Sequence, residues 1–271
     1  MNGASRDALA AARERLDALT DSTSVDAGSL ADELAAVTAL LHREVSLRRV
    51  LTDPAQSGEA KAELAQRLLG SQVGGPTVDL VSGLVRSRWS QSRDLVDALE
   101  ELANLADLTV AQKAGQLDSV EDELFRFGRI VSSSTELRAA LTNRKATVSA
   151  KGELLRSLLG GRAAPATERL VTRLVAAPRG RSLEAGLESL SKLAADRRDR
   201  MVAVVTSAVP LSDPQKQRLG AALAKLYGRT MHLNLDVDPE VLGGMRVQVG
   251  DELINGSIAD RIEDAGRRLA S

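Results

Sequence analysis

Through roughly the first 200 positions, apolar residues recur at intervals of three and four, the spacing that places them on one face of a helix. Leu9, Ala12, Leu16 and Leu19 make such a stripe over Ala4–Leu19. Leu95, Leu99, Leu102, Ala106 and Val110 make another over Arg93–Gln112. The same reading predicts helices at Leu30–Val45, Leu47–Leu51, Gly58–Leu69 and Thr77–Arg86. It continues with Ser119–Val131, Glu136–Leu141, Val148–Leu159, Ala166–Ala176 and Leu183–Arg198. Gly70 supplies a C-terminal stop for one of these helices, and Pro76 a first-turn start for another. Past Arg200 the period changes. RMVAVVTSAV reads as a strand, and Ser212-Asp-Pro-Gln215 resembles a capping box that opens a helix to about Gly228. Met231, Leu233, Leu235 and Val237 then alternate with polar residues, as do Met245, Val247 and Val249. A turn at Gly250-Asp251 leads into a short strand at Glu252–Ile254, and Ser257–Leu269 closes as a helix.

The helical part repeats itself with a period of 90 residues. AKAELAQRLLG at Ala60–Gly70 lies over AKGELLRSLLG at Ala150–Gly160, and LRRVLT at Leu47–Thr52 over LRAALT at Leu137–Thr142. Without gaps, 19 of the 54 pairs from 32/122 to 85/175 are identical, more than an Ala/Leu-rich composition yields by accident in one register. The expected fold is mainly α with a small α+β C-terminal domain. Two tandem six-helix bundles occupy residues 1–112 and 93–200, overlapping in helix 93–112, and a βαββα unit occupies 201–271.

Composition narrows what such a chain can do. Net charge is −1 and aromatics are 1%, so neither a basic field nor stacking platforms are available for nucleic acid. Cysteine is absent, which removes disulfide and thiolate chemistry and suits a reducing cytoplasm. No apolar run approaches the ~20 residues that span a bilayer, so a soluble chain is expected, with any membrane association made through a partner. Gly74-Gly75-Pro76 and Gly160-Gly161 lack the lysine and Ser/Thr of a phosphate loop, and Gly243–Gly250 joins strand to strand. His42 and His232 lie in different predicted domains, which argues against a metal site or a catalytic triad. The basic clusters Arg86–Arg93 and Arg197–Arg200 are short and read as solvated helix faces or protein interfaces. No catalytic residue, cofactor or metal ligand is assigned. What remains is surface, of the kind with which amphipathic bundles hold a partner's helix.

The segment VDPEVLGGMRVQVGDELINGSIADRIEDAGRRL, Val237–Leu269, resembles the C-terminal signature of the delta (OSCP) subunit family of rotary ATP synthases. The pattern runs through Asp238, Val241, Gly243, Gly244, Met245, Val247, Val249, Gly250 and Asp251 to Ile254, Gly256, Ser257, Ile258, Arg261 and Ile262. The resemblance implies a non-catalytic stator subunit. Its helical bundle grips the N-terminal helices of alpha subunits on the catalytic head, and its C-terminal domain engages the b-type peripheral stalk. That places the protein peripherally on the cytoplasmic face of a bacterial cell membrane, through the ATP synthase complex. Ordinary members are shorter by about one repeat; the duplication resembles actinobacterial members. By order along the chain, copy one holds the family's first and fifth helices, which points to Leu9, Leu16, Val78, Val81 and Val85 as groove residues. Some of these must instead face the bundle's own core. Gly243, Gly244 and Gly256 are expected to set backbone geometry. A helical adaptor unrelated to ATP synthase, and an enzyme with a nucleotide site around Gly243–Gly250, are the competing readings.

Overall fold

A computed structural model describes residues 2–21, 25–199, 202–227, 231–238, 241, 244–249 and 252–255. The chain divides into two compact units, Met1–Leu193 and Ala194–Ser271.

The first unit is helical: α1 (Gly3–Asp21), α2 (Ala27–Arg43), α3 (Val45–Leu51), α4 (Gly58–Leu69), α5 (Gly75–Arg86), α6 (Ser92–Lys113), α7 (Leu117–Ser133), α8 (Thr135–Thr142), α9 (Val148–Leu159), α10 (Pro165–Ala176) and the start of α11 (Leu183–Asp199). The bounds follow local chemistry. The Asp26 side chain accepts from the backbone N–H groups of Gly28 and Ser29 at the head of α2. Ser57, Ser134 and Thr147 cap α4, α8 and α9 in the same manner. Proline opens both α5 and α10.

The 90-residue register holds in space. α4 and α9, and α5 and α10, begin and end 90 positions apart. A shared device fixes the start of α5 and of α10. Glu33 on α2 accepts from the Gly74 backbone N–H at 3.0 Å and from the Thr77 hydroxyl. Glu123 on α7 accepts from Ala164 N–H at 2.9 Å and from the Thr167 hydroxyl at 2.5 Å. Thr77 and Thr167 are both fully buried, so each depends on its carboxylate for a partner. Glu33→Ala and Glu123→Ala are each expected to cost about 2 kcal/mol, by loss of a cap and of a buried partner. Urea unfolding with an unchanged m-value checks this.

α6 is the central element. It packs against α1, α2, α3 and α5 of copy one and against α7 and α10 of copy two. Buried residues therefore run almost all round it, including Asp94, Glu100 and Asp107. Val110, at the end of the sequence stripe, is 41% exposed. At 100° per residue it sits about 60° round from Leu95.

The second unit holds β1 (Val202–Ser207), α12 (Asp213–Tyr227), β2 (His232–Val237), β3 (Met245–Val249) and β4 (Glu252–Asn255). The sheet order is β2-β1-β3-β4, with β1 parallel to β2 and the other pairs antiparallel. Ala203, Val205, Val247 and Val249 point to one face and form a core with Leu223 of α12 and Met231. Parallel β1 and β2 are joined through α12, the crossover that parallel pairing demands. The expected closing helix, Ser257–Leu269, lies outside the described residues.

Candidate functional site

The five apolar residues that the sequence marks for a groove are all inside the helical unit. Leu16, Val81 and Val85 have no exposed surface; Leu9 and Val78 keep 8% and 6%. They hold α1 and α5 to the bundle, because a helix turns its strongest apolar stripe inward.

The groove itself is lined by the residues beside them. Ala8, Ala11, Ala12 and Arg15 of α1 face Asp79, Leu80, Gly83 and Leu84 of α5 across a cavity of about 320 Å³. Its floor is made of small side chains, and a Cβ placed on Gly83 would meet nothing within 4 Å. Arg15 closes one side by donating to both Asp79 carboxylate oxygens, at 2.8 and 2.9 Å. Arg86 is turned away to Glu59 at 3.1 and 3.2 Å. The opening thus sets small apolar side chains between polar and charged edges, a make-up that suits one amphipathic helix.

Copy two is built differently at the matching place. Asp79 is replaced by Arg169 and Gly83 by Arg173, 90 positions on. Arg173 reaches over α6 to Asn104 at 3.1 Å and to Asp107 at 2.8 Å. Arg169 pairs with Asp107 at 2.7 Å and continues to Asp32 of α2 at 2.7 Å and to the Gly28 carbonyl at 3.3 Å. Burial pushes the Asp107 carboxyl above its ordinary range, and Arg173 and Arg169 pull it back in part. A cavity of about 300 Å³ remains at the second site, but Glu100, Glu101, Asn104 and Arg173 line it with charge and polarity where the copy-one groove has small side chains, and Arg169 ties copy two to copy one.

The basic clusters are engaged as well. Trp89 donates its indole N–H to the Leu84 carbonyl at 2.8 Å, and Arg93 donates to the Arg179 carbonyl at 2.8 Å. Arg197 is buried. His42 is exposed, and no group of three or more His, Cys, Asp or Glu residues that could hold a metal occurs among the described residues. Of the signature residues, Asp238 follows β2, its N–H bonded to the Ser207 carbonyl at 3.0 Å. Gly244 adopts φ +89°, a conformation that L side chains avoid, just before β3. Gly243, Gly250, Gly256, Ser257 and Arg261 lie outside the described residues.

A duplicated helical scaffold with a groove in copy one and a small sheet unit has the parts of a connector. The family profile for "ATP synthase delta (OSCP) subunit" matches residues 105–269. "ATP synthase subunit delta" of Streptomyces coelicolor is 87% identical over 271 residues, covering 100% of this chain and 99% of that protein. The protein of that name in Thermobifida fusca is 49% identical over 270 residues, covering 100% of both. A chain in the solved mitochondrial ATP synthase hexamer of Toxoplasma gondii aligns with 62% of this chain at 23% identity and a TM-score of 0.34, too loose a likeness to carry an argument. The chain belongs to the ATP synthase delta (OSCP) subunit family. It is therefore a stator subunit of the F-type ATP synthase, structural and not catalytic, and it connects the alpha subunits of the head to the peripheral stalk. The unrelated-adaptor and nucleotide-enzyme readings are set aside by this membership.

Proposed function

We propose that the α1–α5 groove of copy one seats an N-terminal helix of an alpha subunit, with copy two joined to it through α6 as a rigid extension. The organisation 1–112, 93–200 and 201–271, with helix 93–112 common to both bundles, follows from this reading. The second unit takes the b-type stalk through its own surface. The protein sits peripherally at the cytoplasmic face of the bacterial cell membrane, held there by the complex. No helix among the described residues is long and apolar enough to cross a membrane.

One observation carries the choice of copy. Ala11 and Gly83 leave small side chains along the copy-one groove, whereas Glu101 and Arg173 line the cavity at the equivalent place in copy two with charge. The family profile begins inside α6 and so runs over copy two. A profile with one helical domain ahead of the C-terminal domain aligns to the adjacent copy whichever one binds, so its position does not oppose the groove argument.

A photo-crosslinking amino acid at Ala11, and separately at Glu101 in the matching position of copy two, tests the choice in assembled complex. Capture of an alpha subunit is expected from position 11 and not from 101. Capture from 101 alone would move the grip to copy two.

A further inference from the structure

Copy two carries a charge that copy one lacks, confined to one stretch. Residues 142–163 hold five cations, Arg144, Lys145, Lys151, Arg156 and Arg162, against the single acid Glu153. The matching residues of copy one, 52–73, hold two cations and three acids. Four of the five cations stand where copy one has Pro54, Ala55, Gln66 and Gln72; only Lys151 has a counterpart, Lys61. The stretch therefore moved from a net charge of −1 to +4 in a chain whose total is −1.

These cations are unspent. Arg144, Lys145, Arg156 and Arg162 are exposed and Lys151 is half-buried. None of the five side chains enters an ion pair or side-chain hydrogen bond among the described residues. Lys61 in copy one is instead buried, with its ammonium 3.5 Å from the Ser87 carbonyl. Apolar surface accompanies the charge: Val148 is 60% exposed and Leu158 36%. Val148 occupies the place of Gly58, whose backbone lies close enough to α5 that a Cβ there would stand 3.1 Å from the Arg86 carbonyl. Beside Arg156, a groove of about 450 Å³ opens between α9 and α10 and reaches Asp32 of α2; its acids are Asp32, already paired with Arg169, and Glu168 on the α10 wall.

We infer that this face of copy two is a second docking surface, and that its occupant is a carboxylate-rich helical segment of another ATP synthase subunit. Exposed apolar contacts with arginine around them are the make-up of a protein interface. Nucleic acid is disfavoured by the lack of any aromatic residue in the stretch. The inference rests on family membership and not on which copy holds the alpha helix.

Zero-length carbodiimide coupling in purified, assembled ATP synthase tests it, since this reagent joins lysine amines only to carboxylates already in contact. Lys145 or Lys151 is expected to couple to Asp or Glu of another subunit, and Lys145→Gln with Lys151→Gln to abolish that product. The variant Arg144→Glu, Arg156→Glu, Arg162→Glu should leave the complex about tenfold faster in a salt wash, while the isolated chain keeps its melting temperature. Should that variant melt early, Arg144→Gln with Arg156→Gln, which restores the copy-one residue at the second position, reads out the same loss more gently. Coupling confined to this chain's own carboxylates would overturn the inference. So would the absence of coupling at both lysines, or binding of the chain to phosphatidylglycerol vesicles that the triple variant loses.

Discussion

Arg169→Ala is expected to destabilise the helical unit by on the order of 3 kcal/mol, a fall in melting temperature of about 6–12 °C. The cost arises at Asp107, which is fully buried on α6 between Arg169 and Arg173 at 2.7 and 2.8 Å. Deleting one arginine leaves a buried carboxylate with half of its compensation. The same substitution releases Asp32 and the Gly28 carbonyl on α2, so copy two loses a tie to copy one as well. The defect should depend on pH in a defined direction. Burial already holds the folded-state Asp107 carboxyl above its unfolded value, and removing Arg169 raises it further. A raised acid favours the folded state below its titration and opposes it above, because the folded chain then binds the proton that the unfolded chain has released. Wild type should therefore lose a little stability as pH rises through the Asp107 titration, and Arg169→Ala should lose more. The variant's defect is expected to be smaller near pH 5 than near pH 8. Adding Asp107→Asn to Arg169→Ala should recover about half of the loss and remove the pH dependence, since a neutral amide still meets Arg173. Urea titrations of the three chains at both pH values measure every part of this. Equal defects at the two pH values would show that Asp107 is not the source.

Much of this architecture was legible in the sequence, and the misses share a cause. Helix Gly58–Leu69 ends at the stop read at Gly70, and Val148–Leu159 has the bounds that periodicity predicted. The sheet followed from alternation at Met231–Val237 and Met245–Val249; in β3 one face is buried and the other wet, while Leu235 and Val237 of β2 stay exposed. The groove did not. Its walls are marked by what is missing, the side chains that Ala11 and Gly83 lack, while periodicity reports only the large apolar residues that fill the core. The five residues named from the sequence on α1 and α5 are the inward stripe of each helix, the outcome that a single apolar stripe per helix makes expected. Glu100 and Asp107 would face water on α6 of copy one alone; the arginines of copy two cover them, while Asp94 is buried against Ser5 of α1. A usable signal did exist. The repeat is informative at its mismatches as well as its matches, and Ala11/Glu101, Asp79/Arg169 and Gly83/Arg173 are places where an exchanged charge or an added side chain separates a groove of small residues from a charged one.

Gly83→Arg places the copy-two residue in the copy-one groove, and it should reduce capture of an alpha N-terminal peptide at least a hundredfold without harming the fold. The two effects separate because of where position 83 lies. Its Cβ direction is empty within 4 Å, so the backbone accepts a side chain there. Position 83 is inside α5, where arginine is favoured over glycine by about 0.5–1 kcal/mol, and the melting temperature should hold or rise slightly. The guanidinium would meet Ala8, Ala11 and Ala12 across a cavity of about 320 Å³, space that a docked helix needs for its own apolar side chains. Besides the steric loss, a charge would be stranded against an apolar ligand face, a penalty of several kcal/mol wherever no carboxylate is in reach. Asp79, one turn back, is the only nearby acid of the groove and is already held by Arg15 through two bonds. Gly83→Ala serves as the graded control, adding a methyl and no charge, and should weaken capture by less than tenfold. Titrating a labelled alpha N-terminal peptide against the full chain gives all three affinities. Unchanged binding by Gly83→Arg would mean that the helix is seated elsewhere, and copy two, despite its arginines, would then be the surface to probe.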